Sequence, residues 1–328
     1  CQTIVELKSI GVFLSTFVNA KLDVDGRMRS SFSIAGPTTF RFASYENAFY
    51  SGCNFQNMPT EEKQKIPSPD YIKLPNIREM YIPDVGYIYF DMDLDRADLQ
   101  VVVWEAEDSE LKLALRQGID MHCFSACQIF DIKGIPFDEL TETHPNYPEH
   151  RARIGKPKRA KAKMGVHATN YDVQDFTLAQ ALGITRKEAG EFRAKWFAAH
   201  PGIKKWHIRT KDLVDRFGFI ENQFGARFHR MGRFSLPEFL GWKPQSTVAG
   251  VINRILVEID RRQQKGELPI ELQIQVHDSL AGQTPQDGSS KVFEELRKIG
   301  NSIVIPYPDP LIIPVGIKTS TISWGHCK

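Results

Sequence analysis

The 328-residue chain contains no run of about 18 uncharged apolar residues, the least that a membrane-spanning helix needs. Its N-terminal stretch has no charged segment leading into an apolar core and a cleavage site, so neither a membrane nor a secreted setting is expected. Cysteine is scarce. The five residues, Cys1, Cys53, Cys123, Cys127 and Cys327, are odd in number, which argues against a disulfide framework and for a reducing compartment. His122, Cys123 and Cys127 fall in one apolar helical run without a fourth ligand nearby, a poor pattern for structural zinc. Excess charge is lacking too: 42 basic against 40 acidic side chains leave +2, so a nucleic-acid partner would have to be held by local clusters rather than by bulk charge. There is no internal repeat or low-complexity tract. The chain begins at Cys1 rather than Met, so it is expected to be a fragment.

A hydrophobic content of 41% is enough for a core, in one large domain or in two or three subdomains. Residues 3–20 pattern as an amphipathic helix, and a polar region bearing Gly and Ser follows to about residue 75. Val85 to Asp93 predicts a strand running into an acidic cluster, after which helical pattern continues to about Phe130. Residues 133–157, rich in Pro and charge, predict a loop or inserted excursion, a candidate mobile element. From Lys158 to about Arg216 the pattern is helical, with breaks at Gly183 and Pro201-Gly202 and with Thr185 placed to cap a helix. Helix returns from about Gln245 to Gln264, and the tail reads as mostly strand. Strands at both ends with helices between them predict an α+β fold with a helical insertion.

Three features carry chemistry. The acidic cluster Asp91-Met-Asp-Leu-Asp-Arg-Ala-Asp98 sits at a strand end, where carboxylates suit Mg²⁺ or else form a solvated turn. The basic run Arg151, Arg153, Lys156, Lys158, Arg159, Lys161 and Lys163 precedes Met-Gly-Val-His-Ala-Thr-Asn-Tyr171. If Pro157 starts a helix, Arg159, Lys163 and His167 repeat at four-residue spacing and Asn170 returns to that face. Such a face clamps a triphosphate, tracks a nucleic-acid backbone or is merely solvated. Third, Leu272-Gln-Ile-Gln-Val-His-Asp-Ser-Leu280 alternates with period two, which predicts one face for Leu272, Ile274, Val276 and Leu280. Asp278 falls in that apolar row, where a carboxylate must turn the chain, be paired or hold a cation. Acid, base, acid in that order are the parts of two-metal phosphoryl transfer.

On these motifs the chain resembles the polymerase portion of family A DNA polymerases, the family of bacterial DNA polymerase I and many phage replicases. Asp93-Leu-Asp-Arg-Ala-Asp-Leu-Gln100 resembles the family's first motif, followed by Asp120-Met-His122. Arg159-x3-Lys163-x3-His167-x3-Tyr171 resembles the second, and Val276-His277-Asp278 the third. Thr39-Phe-Arg41, Asn54 to Pro59, Ile184 to Ala189, His200-Pro-Gly202, Gly225-Ala-Arg227, Gln245 and Trp324-Gly325 are similar to lesser motifs in the same order.

The resemblance implies a right-hand polymerase: an antiparallel palm sheet over 1–110 and 232–328, and an inserted helical fingers subdomain over 111–231. No segment resembles the family's thumb or exonuclease. It implies Asp93 and Asp278 as catalytic ligands of two Mg²⁺ ions. His122, Arg159, Lys163 and His167 would bind the dNTP, with Tyr171 beside the templating base and Asp98 gating the sugar. Arg41, Gln245 and His277 would contact primer–template DNA. A cytoplasmic setting in a bacterium or phage-infected cell follows, with no membrane partner; whether an accessory processivity factor takes part is left open.

Some positions depart from the family. Asp98 matches a Glu and is one methylene shorter, which predicts looser exclusion of the 2′-hydroxyl. His167 matches a Phe or Tyr, Asp172 a Gly, and Ser279 a Glu. A single-subunit RNA polymerase also has His-Asp-Ser at the third motif, but Asp98, the Asn54 to Pro59 stretch and the helix around Arg186 to Lys195 favour DNA synthesis. A binding protein without catalysis would use the basic run and leave both aspartates without a role.

Overall fold

The computed structural model describes residues 2–34, 36–58, 74–233 and 235–327. Residues 59–73, over which the polar region and Pro59 of the Asn54 to Pro59 stretch were expected to run, lie outside the described residues, as does Cys1. In chain order the elements are α1 (Gln2–Phe13), β1 (Ser30–Ser33), β2 (Ala43–Glu46), β3 (Tyr87–Leu94), α2 (Ala97–Ala106), α3 (Ser109–Arg116) and α4 (Met121–Ile129). Then come α5 (Tyr147–Ile154), α6 (Lys156–Asn170), α7 (Asp175–Leu182), α8 (Arg186–Ala199), α9 (Pro201–Phe217), β4 (Phe219–Glu221) and β5 (Arg227–His229). The last are α10 (Leu236–Gln264), β6 (Glu271–Val276), β7 (Ser279–Pro285), α11 (Ser289–Ser302) and β8 (Val315–Ser320). The chain is α+β, and every strand pair is antiparallel.

Two compact units share these elements: Cys1–Asp95, Ala249–Ile305 and Ile312–Lys328 form the first, and Arg96–Val248 with Pro306–Leu311 the second. In the first, strands from both ends of the chain make a four-stranded sheet in the order β6-β7-β3-β8. Its β3 is central and buries Tyr89, Phe90, Met92 and Leu94, the aromatic and apolar composition that a half-buried pleated surface accommodates. Gly282 on β7 is where this sheet draws tightest, since a Cβ there would lie 2.2 Å from the Glu271 carbonyl oxygen. Gly282→Ala is therefore expected to lower stability by about 1–3 kcal/mol through overpacking, read as a lower denaturation midpoint.

The second unit is helical apart from the β4–β5 hairpin. Helix α6 meets α8 at Gly165, where a Cβ would fall 2.3 Å from the Phe192 ring. The break at Pro201-Gly202 also has a cause in packing: Pro201 opens α9, and a Cβ on Gly202 would stand 2.5 Å from the Ala106 carbonyl oxygen. Thr185 caps α8 in a full capping box with Glu188. Among the described residues no helix is long and apolar enough to cross a membrane.

Four expectations need correction. The excursion at 133–157 is not all loop, because Asp138–Leu140 make a 3₁₀ turn and Tyr147–Ile154 form α5. Pro148 lies in the first turn of that helix, where its missing N–H has no partner to lose. The tail is not mostly strand, since Val292, Leu296 and Ile299 bury one face of α11 at helical spacing. Helix α10 begins at Leu236 and runs through Pro244 rather than starting near Gln245. Finally, the apolar alternation around Asp278 is interrupted by a register shift between Leu272 and Ile274. Gln275 is buried instead, its amide bonded to Gln56 at 3.2 Å and donating to the His277 carbonyl at 2.8 Å.

Candidate active site

Strands β6 and β7 are joined by two residues, His277 and Asp278, between the paired Val276 and Ser279. His277 has φ +54°, the left-handed backbone of a tight hairpin. Asp278 is thus tolerated after an apolar strand because the chain turns there. The register then fixes its neighbour: Ser279 pairs with Asp93 on β3, and the Asp278 carbonyl accepts the Leu94 amide at 3.1 Å. Two aspartates 185 positions apart in sequence therefore share one end of the sheet in the first unit.

Asp93 reaches solvent, yet its carboxyl is pushed up to about 7. Burial by surrounding protein is the largest cause, followed by the charges of Asp278 and Asp91, while Lys318 acts against them. Asp91 has a different occupation. It accepts the Trp324 indole N–H at 2.8 Å, and Arg78 lies 3.8 Å from it and 4.1 Å over the Trp324 ring. The acidic cluster is therefore divided between structure and site. Lys318, which pairs with Asp91 across β3 and β8, carries no motif that would have singled it out. Among the described residues no three His, Cys, Asp or Glu side chains gather to enclose an ion.

In the second unit a cleft of about 310 Å³ is lined by His122, Lys163, His167 and Tyr171 over a floor that includes Val102, Met121 and Trp196. Two of the four come from α6, which begins at Lys156 with Pro157 in its first turn, and Tyr171 caps its C-terminus, so the four-residue spacing does place Lys163 and His167 together. The rings of His167 and Tyr171 meet edge to face at 5.0 Å. Leu99, next to Asp98 in the first turn of α2, also lines the cleft.

Arg159 does not line it. Its guanidinium holds Asp120 through Nε at 3.0 Å and Nη2 at 2.9 Å. Asp120 is the residue that reasoning from sequence undervalued. It caps α4 by accepting the amides of His122 at 2.9 Å and Cys123 at 3.2 Å, and it accepts the Tyr147 hydroxyl at 2.6 Å. Burial alone would raise its carboxyl, but the bonds from Tyr147 and Cys123 and the charge of Arg159 outweigh that and hold it well below the usual carboxylate range. An Asp before a helical run was a readable cap signal; its partners 27 and 39 positions away were not. Burial pushes His122 down to about 4, with Arg159 and Lys163 adding to the effect and Asp120 opposing it. At neutral pH His122 therefore offers a neutral ring and Lys163 the charge.

The other expected site residues lie apart in the chain's division. Arg41 is half-buried in the segment between β1 and β2, beside Phe40, whose carbonyl accepts the Asn253 side chain at 3.3 Å. It belongs with His277 to the first unit, whereas Gln245, half-buried on α10, belongs to the second.

Residues 1–321 match the profile of DNA polymerase family A. DNA polymerase I of Chloroflexus aurantiacus is 26% identical over 317 residues, covering 92% of this chain and 30% of that protein. DNA polymerase I of Geobacillus stearothermophilus is 26% identical over 302 residues, covering 87% of this chain and 31% of that protein. The chain thus spans about a third or less of these relatives' length. The solved polymerase domain of Pol1 from M. smegmatis, in complex with DNA primer-template and dNTP, shares the fold at a TM-score of 0.75 and 21% identity, over 98% of this chain and 52% of that one. With its profile match running through almost the whole sequence, the chain belongs to DNA polymerase family A.

Proposed function

We propose that the chain is the catalytic portion of a template-directed DNA polymerase, adding dNTPs to a primer 3′-hydroxyl with release of pyrophosphate. The observation that carries this reading is the placing of Asp93 and Asp278 at one end of the β3–β7 pair. In right-hand terms the first unit corresponds to the palm and the second, Arg96–Val248 with Pro306–Leu311, to the fingers.

Two adjacent carboxylates in a field where Asp278, Asp91 and Asp95 outnumber Lys318 make a hard oxygen donor set with excess negative charge. That suits Mg²⁺, which takes one or two carboxylates together with water and substrate phosphates. Asp93 and Asp278 would hold two such ions, whose chemistry when bound is to acidify the attacking hydroxyl and neutralise the leaving pyrophosphate. Lys163 supplies charge to the triphosphate and His122 a neutral N–H. The Asp120 pair uses Nε and Nη2 of Arg159, so Nη1 is the edge it would offer to phosphate. His167 and Tyr171 give the cleft an aromatic wall for the incoming nucleotide and the templating base. Arg41, Gln245 and His277 would contact the primer–template.

Asp98 acts as the sugar gate, one methylene short of the family's Glu. Asp98→Glu is expected to increase dNTP over rNTP selectivity about tenfold or more, the size of a single steric or hydrogen-bond discrimination. Single-nucleotide insertion with matched dNTP and rNTP measures it, and equal selectivity in both proteins would remove Asp98 from this role. The reading as a whole is tested by primer extension with Mg²⁺ and dNTPs alongside rNTPs. Template-dependent extension by dNTPs supports it, and preferential use of rNTPs would favour an RNA polymerase.

A further inference from the structure

The turn that follows α6 is tied down more heavily than its backbone requires. Asp172 has φ +55°, a conformation that glycine takes without strain, and the family motif that this stretch resembles has Gly there. The turn is already closed by backbone bonds from Asp172 to the Thr169 carbonyl at 3.0 Å and from Val173 to the Ala168 carbonyl at 3.1 Å. A carboxylate adds nothing to that closure, yet this one is used. Arg193 on α8 donates to Asp172 through Nη2 at 3.0 Å and to Asp175 through Nη1 at 2.5 Å. Both members of the Arg193–Asp172 pair are largely shielded, each side chain 16% exposed, so solvent screens the pair less than a surface ion pair. The residue before Tyr171 is held as well: the Trp196 indole N–H donates to the Asn170 side chain at 2.8 Å, and His207 Nε2 donates to the Asn170 carbonyl at 2.8 Å. Tyr171, with its ring against His167 on the cleft wall, stands between these two anchored residues.

We propose that Asp172 and Arg193 form an ionic latch that immobilises the turn carrying Tyr171 and thereby sets how strictly matched and mismatched nucleotides are told apart. The inference rests on the polymerase reading for its consequence and on the second unit's own geometry for its cause. Asp172 is a positioning residue here, acting through Tyr171. Asp172→Gly keeps the left-handed turn and deletes the anchor. Asp172→Asn also tolerates that backbone and still accepts a bond from Arg193.

The test pairs two measurements on the full chain. In single-nucleotide insertion, Asp172→Gly is expected to reduce the matched-to-mismatched ratio of kcat/KM about fivefold, Asp172→Asn to retain most of it, and Asp172→Gly in an Arg193→Gln background to add little, as contacting residues do. In amide hydrogen exchange without nucleic acid, residues 171–174 should exchange about tenfold faster in Asp172→Gly, while α8 and α9 stay as in the parent. Unchanged exchange together with a ratio within twofold of the parent overturns the latch. Faster exchange with an unchanged ratio overturns its role in selection. A parent chain that extends no primer contradicts the polymerase reading instead, and leaves the exchange result to decide the latch.

Discussion

Asp93→Asn and Asp278→Asn are each expected to reduce primer extension by about 10³-fold or more, the equivalent of several kcal/mol of lost charge stabilisation at the reacting phosphate. The expectation follows from where the register puts them. Asp93 stands next to the last residue of β3 opposite Ser279, and Asp278 occupies the turn immediately before Ser279. An amide at either position keeps the shape and the hydrogen-bonding capacity but removes a charge from the pair. Binding of primer–template should change little, because neither side chain is a cation and affinity for DNA is dominated by contacts to phosphate. The fold should survive as well, since a neutral Asn escapes the burial cost and then the like-charge repulsion that push the Asp93 carboxyl up. Steady-state extension beside a DNA-binding titration separates the two effects. Extension by either variant at close to the parent rate would remove both residues from the chemistry.

The second large effect falls on stability. Asp120→Ala is expected to destabilise the second unit by about 3–5 kcal/mol, the usual loss when one member of a buried ion pair is removed. It strips the cap from α4, the acceptor from Tyr147 and the partner from Arg159 at once. The same carboxylate makes stability depend on pH. Its folded pKa lies below the unfolded value of about 3.9, so its contribution is present above that value and is lost as pH falls toward the folded pKa. His122 is also depressed, to about 4. Its contribution is complete above the unfolded value of about 6.5 and is lost as pH falls from there toward 4. In denaturant unfolding between pH 5 and 3, where other depressed carboxylates such as Asp108 also titrate, Asp120→Asn should therefore lose less stability than the parent. Identical pH profiles for parent and variant would contradict the assignment.

Much of this was open to reading in the sequence, for definite reasons. The hairpin bearing Asp278 showed itself because period-two apolar residues lead into a polar pair, and the strand bearing Asp93 because an aromatic run ends in carboxylates. Lys163 and His167 repeat at the pitch of one helix, so their shared face needed no knowledge of the rest of the fold. What stayed hidden depends on distant partners. Nothing local to Asp91 says that Trp324 will take its carboxylate, and nothing near Arg159 says that Asp120 will. Proline misled in two places: Pro148 opens α5 and Pro244 lies within α10, whereas local propensity weighs proline as a break. The buried Gln275 on β6 takes its hydrogen bond from Gln56, a contact across 219 positions.

The most direct test of the central claim is extension of a labelled primer on a defined template by this chain, with DNA saturating and with Mg²⁺ and single dNTPs supplied in turn. The account predicts addition of the complementary dNTP, dependence on the divalent ion, and loss of product in Asp93→Asn. DNA binding that is indifferent to Mg²⁺ and dNTP, with no primer lengthened, would contradict it.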